Sequence, residues 1–289
     1  MDHKIGTNKA FTLIELVVAI AILVIVISFA GVIFKVSISS QRTAAANAEI
    51  MQKLRAITDQ LNIDFKGFRK DGYLVLYSDL LNRKEYANST TSADFRADRL
   101  FYFSTGDSQS WFATNVRSNI AKVYFGHDYR SLNVAALPVS EWSLARDIKL
   151  MTPGSPQLVD SNDVSFAAFK ANVVGTENEA QNLLTYGIPI DVQANPDDVR
   201  GLMCQNVGEI KIEWTNGLKA PGDIMLWFGL LLPSGFPVEV PGPPYIATWN
   251  PMTAEQYWPK ALKFTFTLYD SKGILKQGRT FTHIVYFGD

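Results

Sequence analysis

The residue types able to do chemistry are few in this chain, and their spacing argues against most reactions. Gly106-Asp107-Ser108-Gln109-Ser110 begins like the turn that presents a nucleophilic serine, with His127 and His283 as candidate bases. The closing glycine of that turn is missing, and nothing in the order of these residues requires a triad. His283 alternates with Phe281 and Val285 at the period of a strand, which makes it a core-facing or edge histidine rather than a ligand. The single cysteine, Cys204, excludes an internal disulfide and a cysteine-based zinc cluster, and reads as a small buried side chain rather than a nucleophile. Neither a zinc-protease HExxH nor a phosphate-binding P-loop occurs. The sequence therefore predicts no catalytic, cofactor-binding or metal site, and a protein that is not an enzyme. With 27 Lys+Arg against 28 Asp+Glu and no long basic run, no nucleic-acid partner is expected.

The strongest signal is physical rather than chemical. From Leu16 to Phe34 the sequence reads LVVAIAILVIVISFAGVIF, without charge or proline. As a helix it spans roughly 28 Å, close to the hydrocarbon thickness of a bilayer. In lipid, a helix is the single segment that satisfies its own backbone, which overrides the β-branched composition. One crossing is expected, since no second run of this kind follows. A secretory signal cut after Ser28-Phe29-Ala30 is the rival, but apolar sequence continues past that point to Phe34. Lys4 and Lys9 before the run, and Lys35 and Arg42 after it, leave orientation open by charge alone.

Behind the run, helix periodicity persists. Ile50, Leu54, Ile57, Leu61, Phe65 and Phe68 fall three and four apart, with Gln52, Lys53, Arg55, Thr58, Asp59 and Asn62 off that stripe. One nearly continuous helix is predicted from about Phe11 to Phe65, stopped at Gly67. The remainder, from about Arg69 to Asp289, reads as β-rich. Glu209–Trp214 and Leu262–Leu268 alternate cleanly; Arg99–Ser104, Ala121–Phe125, Trp142–Met151, Ile224–Leu232 and Thr280–Phe287 are further strands. Asn216-Gly217 is a strong hairpin signal and Lys272-Gly273 a second turn. Glu177–Leu184 and Ala254–Tyr257 are short helix candidates, and Pro233–Pro259 is a long Pro-rich loop. Trp249, Tyr257 and Trp258 beside it are read as exposed, serving either as a partner surface or as pins for the loop.

Lys9-Ala10-Phe11-Thr12-Leu13-Ile14-Glu15-Leu16 resembles the processing site of type IV pilins and type II secretion pseudopilins: a short basic leader, a small residue, then Phe, with Glu fifth behind the cut and about twenty apolar residues following. The resemblance implies cleavage by a prepilin peptidase between Ala10, where the family favours Gly, and Phe11. It further implies N-methylation of Phe11, and a role for Glu15 in assembly by neutralising a neighbouring subunit's terminal ammonium. A carboxylate at membrane depth costs a few kcal/mol unless it is partnered, which fits that role. Within the family, Met51-x-x-Leu54-Arg55 and the closing pair LKFTFTLYDSKG and GRTFTHIVYFG look like the J-type minor pseudopilin. The implied protein is α+β and pilin-like: a leader (1–10), a transmembrane helix (11–35), an amphipathic helix (36–68) and a β-rich periplasmic head (69–289). It would cross the bacterial inner membrane once, with other minor and major pseudopilins as partners. Insertions are placed near 155–205 and 233–259. Related pseudopilins can bind calcium; here Asp160-Ser161-Asn162-Asp163 and Asn195-Pro196-Asp197-Asp198 offer oxygens, but neither fits an EF-hand and both read as solvated turns. A minor pilin of a type IV or DNA-uptake pilus, and a membrane-tethered binding protein or enzyme, are the alternatives.

Overall fold

A computed structural model describes residues 12–70, 72–109, 117–152, 164–165, 196–229, 245–251 and 253–287. The chain divides into two compact units, Met1–Ala48 and Glu49–Asp289. Helix α1 (Leu13–Lys66) begins in the first and ends in the second. In the first unit every large apolar side chain of α1 from Leu13 to Ile38 is 49% to 81% exposed. Its hydroxyls turn inward instead: Ser28 donates to the Val24 carbonyl and Thr43 to that of Ser39.

The second unit is built on strands β1 (Leu74–Ser78), β2 (Leu80–Arg83), β3 (Ala93–Arg96), β4 (Arg99–Gln109) and β5 (Arg117–His127), then a short helix α2 (Tyr129–Asn133). There follow β6 (Ser143–Thr152), β7 (Val164–Ser165), β8 (Leu202–Gln205), β9 (Val207–Thr215), β10 (Lys219–Ala220), β11 (Ile224–Met225), β12 (Tyr245–Trp249), β13 (Ala261–Leu268) and β14 (Arg279–Tyr286). The larger sheet runs β12-β1-β4-β5-β6-β7, with β8 also on β6; a second runs β14-β13-β9. Apart from the short parallel β6–β7 contact, the pairings within these sheets are antiparallel.

The predicted stripe is the seam between helix and sheets. Ile50, Ile57, Leu61 and Phe65 are buried, with Leu54 and Phe68 partly so, against Leu74, Leu100, Tyr102, Phe125, Ile210, Phe264 and Phe266. Phe65 stacks on Tyr102 at 4.6 Å and Phe68 on Phe287 at 4.5 Å. Each fully buried side chain of this size contributes about 1.5–3 kcal/mol. Gly67 does more than stop the helix. A Cβ there would lie 2.1 Å from the Thr105 carbonyl oxygen, so its lack of a side chain lets β4 approach closely enough for Thr105 N–H to bond the Gly67 carbonyl.

Several expectations change. Six of the seven predicted strands fall on β4, β5, β6, β9, β13 and β14, whereas β1, β2, β3, β7, β8, β10 and β12 have no counterpart in the sequence pattern. In β1, Leu74 and Leu76 face the helix side while Val75 packs with Phe101 and Ile246 on the other, so both faces are apolar and alternation vanishes. Asn216-Gly217 is not the tip of a hairpin. Trp214 pairs Phe228 and Lys219 pairs Met225, so the pair forms an irregularity in the outgoing arm, and the tip is Pro221-Gly222-Asp223. Gly217 has φ +87°, and the Asn216 side-chain oxygen accepts from Leu218 N–H. The strand expected over Ile224–Leu232 is correspondingly short, ending at Met225 before the lone bridge at Phe228. Lys272-Gly273 does form a turn: Gly273 has φ +61°, and the Asp270 carboxylate accepts from Ile274 and Leu275 N–H. Trp249 and Trp258 are each 4% exposed rather than surface residues. Trp249 donates to the Tyr257 carbonyl and Trp258 to that of Thr253, which pins this segment to the core. The 3-10 turn Glu255–Tyr257 stands where a short helix was expected. Glu177–Leu184, Asp160–Asp163, Asn195 and 233–244 lie outside the described residues.

Candidate functional site

Helix α1 starts at a reciprocal cap. Thr12 stands at the N-cap, and its N–H and hydroxyl donate to the Glu15 carboxylate at 2.9 and 2.8 Å. The Thr12 hydroxyl oxygen accepts in turn from Glu15 N–H at 3.4 Å. This is a capping box, Thr-x-x-Glu, which satisfies helix-start donors and sets a negative charge against the positive end of the helix dipole. Thr12-Leu13-Ile14-Glu15 carries that signature in the sequence itself, in the same four residues to which the resemblance assigns the assembly role of Glu15. Behind Glu15 runs a helix of apolar side chains with no partner inside their own unit. Among the described residues it is the helix long and apolar enough to cross a membrane. Ala10 and Phe11 lie outside the described residues.

The side chains weighed for chemistry are scattered. Gly106–Gln109 finish strand β4 as an exposed arm, with Asp107 facing Arg117 at 3.6 Å; the chain does not turn into a helix there. Ser108 pairs with Ser118, nine residues along β5 from His127, a separation of about 30 Å. His127 is fully buried. Its Nε2 lies 2.7 Å from the Gly208 carbonyl oxygen, and burial pushes its pKa down to about 4. His283 sits on edge strand β14, 3.0 Å from the Asn62 side-chain oxygen on α1, as an edge histidine. Cys204 is half-buried on β8, and burial raises its thiol to about 11, far from the thiolate that nucleophilic attack needs. Among the described residues no group of three His, Cys, Asp or Glu is placed to hold a metal ion.

Two buried ion pairs organise the head instead, and neither was read from the sequence. Asp64 lies on the buried side of α1 and takes Arg146 of β6 in a two-point contact, 2.6 and 2.5 Å, with Gln60 adding 2.8 Å. Asp98 is wholly buried and pairs with Arg96; it also accepts from Ile212 N–H at 2.6 Å, tying the β3–β4 corner to β9. Burial outweighs Arg96 and pushes the Asp98 pKa up to about 6. Lys53 of α1 donates to the Tyr269 carbonyl and to Asn206, whose φ is +60°. A polar residue on an apolar stripe, or just off it, gives no sign in one dimension of the partner it meets in three.

The Prokaryotic N-terminal methylation motif matches residues 6–31, a span that holds Ala10, Phe11, Glu15 and most of the apolar run. No curated protein and no solved structure matches the chain. The N-terminus is therefore a type IV pilin-like prepilin signal leading into an apolar helix of the kind that anchors a protein by a single pass, on a chain of α+β, pilin-like arrangement.

Proposed function

We propose that this chain is a minor pseudopilin, a structural subunit at the tip of a type II secretion pseudopilus, which supports protein export across the outer membrane. The observation that carries the reading is the register of the matched motif with α1: Glu15 opens the helix, the apolar run follows directly, and the same helix supplies the buried stripe of the head. In this reading prepilin peptidase cuts between Ala10 and Phe11 and the Phe11 amine is methylated. The helix is held in the bacterial inner membrane, and the head stands in the periplasm. Other minor pseudopilins and the major pseudopilin are its partners. The head acts by shape and contact, performs no reaction and needs no cofactor. The closing sequence pair forms adjacent antiparallel strands β13 and β14; it is the likeness of that pair in sequence to J-type subunits, not the pairing itself, that makes us prefer this reading to a minor pilin of a type IV or DNA-uptake pilus.

Deletion of the gene in its host, with mass spectrometry of the wild-type N-terminus, tests this. Loss of protein export with motility and DNA uptake intact, and Phe11 as the terminal residue, are expected. Loss of DNA uptake with export intact would assign the chain to a pilus. An intact Met1 would make it a tethered protein of another kind.

A further inference from the structure

The outgoing arm after β9 ends in a small hairpin that belongs to neither large sheet. Among the described residues β10 and β11 pair with each other and with no further strand, and Leu226 N–H donates to the Leu218 carbonyl at 2.9 Å, which extends the same register by one pair. Paired residues share a face, and faces alternate along each strand. Leu218, Ala220, Ile224 and Leu226 therefore share one face, and Lys219 and Met225 take the other. The apolar face is open: Leu218 is 52% exposed, Ile224 65% and Leu226 37%. A two-stranded ribbon is marginal in water unless something covers its apolar side, and contiguous exposed apolar side chains mark contact surfaces.

Charge and position narrow what covers it. The two charged side chains of the hairpin, Lys219 and Asp223, close on each other at 2.7 Å, so the hairpin presents apolar area without net charge. That suits an uncharged apolar protein surface better than an anionic lipid headgroup or a nucleic acid. Position follows from β9. Its start adjoins Asn206, which Lys53 reaches from the early part of α1 within the head. Its end, Thr215, accepts from Lys260 N–H, and the Lys260 carbonyl accepts from Phe287 N–H, beside Phe68 just past the end of α1. Within the head, the hairpin therefore leaves β9 at the end beside Phe68, away from the end that Lys53 reaches. We infer that the Leu218/Ala220/Ile224/Leu226 face is a docking surface for the head of another pilin-like subunit, an inference that rests on the assembly role proposed above.

The test uses the full chain in the membranes of its host, as wild type and as Ile224→Asp with Leu226→Asp, and as Lys219→Ala on the opposite face. Chemical crosslinking and co-purification are read by mass spectrometry for subunits carrying their own prepilin motif, beside thermal melts of each variant. Expected are recovery of such subunits with wild type and Lys219→Ala, at least a tenfold drop with the double variant, and melts that agree within a few degrees. Equal recovery from wild type and the double variant would overturn the docking face while leaving the assembly role standing. Absence of any such subunit from wild type would instead overturn the assembly role, and the docking inference with it. Two further outcomes would replace the inferred partner: binding of the solubilised wild type to phosphatidylcholine vesicles that the double variant lacks, which points to a membrane, or self-association lost with the double variant, which points to a second copy.

Discussion

The two halves of α1 obey opposite rules of burial although they are one continuous helix. From Leu13 to Ile38 nearly every residue is apolar and the large side chains are at least about half exposed; from Ile50 to Phe65 apolar residues recur every three or four positions and are buried. An all-round apolar helix finds its solvent outside its own fold, and a striped one finds it inside. The first half is therefore chemistry addressed to lipid or to other subunits, and the second is the spine of the head. Charge should separate them. Leu61→Asp buries a carboxylate at a fully buried position of the helix–sheet seam and should cost about 4 kcal/mol or more, enough to unfold the head. Ile25→Asp should leave the head's thermal melt unchanged and instead reduce membrane insertion, where a central charge costs about 3 kcal/mol. If both substitutions lower the melt alike, the division of labour within the helix is wrong.

A second contrast lies within the head, between groups that the pattern reveals and groups that it hides. Asp64 is the polar break in the striped half, and Arg146 meets it from β6. Asp64→Ala leaves that partly buried guanidinium without its carboxylate and should cost about 2 kcal/mol, less than for a fully buried charge because water still reaches Arg146. Arg146→Met together with Asp64→Leu should recover much of that loss. Thermal melts of the two variants decide this. No recovery in the double variant would mean that the pair supplies more than charge balance.

Legibility followed the same division. The helix, its stripe, its stop at Gly67 and the alternating strands β9 and β13 could be read because burial on one side prints a period on the sequence. Strand β1 was missed because both of its faces are buried. Trp249 and Trp258 were misplaced because their Pro-rich flanks masked an edge strand and a pinned turn. The burial of Asp98 and His127 could not be read, since apart from Arg96 their partners are Ile212, Val207 and Gly208, all about 80 residues or more away. The N-terminal site was legible from residue types alone, because leader, small residue, Phe, Glu and apolar run lie in one short stretch.

Those two buried groups make a pH comparison with opposed signs. His127 is held at about 4 when folded against an ordinary 6.5. Below pH 6.5 the unfolded chain therefore binds a proton that the folded chain refuses, and stability falls toward pH 4 by up to about 3 kcal/mol. Asp98 is raised to about 6 from 3.8, so its contribution is full below 3.8 and is lost as pH rises through 6. The two nearly offset each other between pH 4 and 6. His127→Gln removes one side of the balance, so its Tm deficit relative to wild type at pH 7.5 should narrow by several degrees at pH 4.5. Asp98→Asn should do the reverse, with a deficit that widens on acidification. Deficits independent of pH in both variants would show that neither group titrates with folding.

The smallest effect on the head, and the most telling about the first half of the helix, belongs to Glu15. Its carboxylate caps its own helix through Thr12. It is also the group expected to meet a neighbour's terminal ammonium. Glu15→Gln separates these roles, because a glutamine at the same position still closes a capping box yet carries no charge. Glu15→Val abolishes both. Neither should move the melting temperature of the head, which begins beyond residue 48. If assembly depends on charge, both variants should lose recovery of partner subunits in crosslinked membranes, by about tenfold, while membrane insertion is retained or eased. If assembly depends only on a well-formed helix start, Glu15→Gln should behave as wild type and Glu15→Val alone should fail. Thr12→Val, which removes the hydroxyl and keeps the carboxylate, should then resemble Glu15→Val under the capping account and wild type under the charge account. The two accounts thus assign opposite behaviour to Glu15→Gln and Thr12→Val, and one set of crosslinking lanes tells them apart.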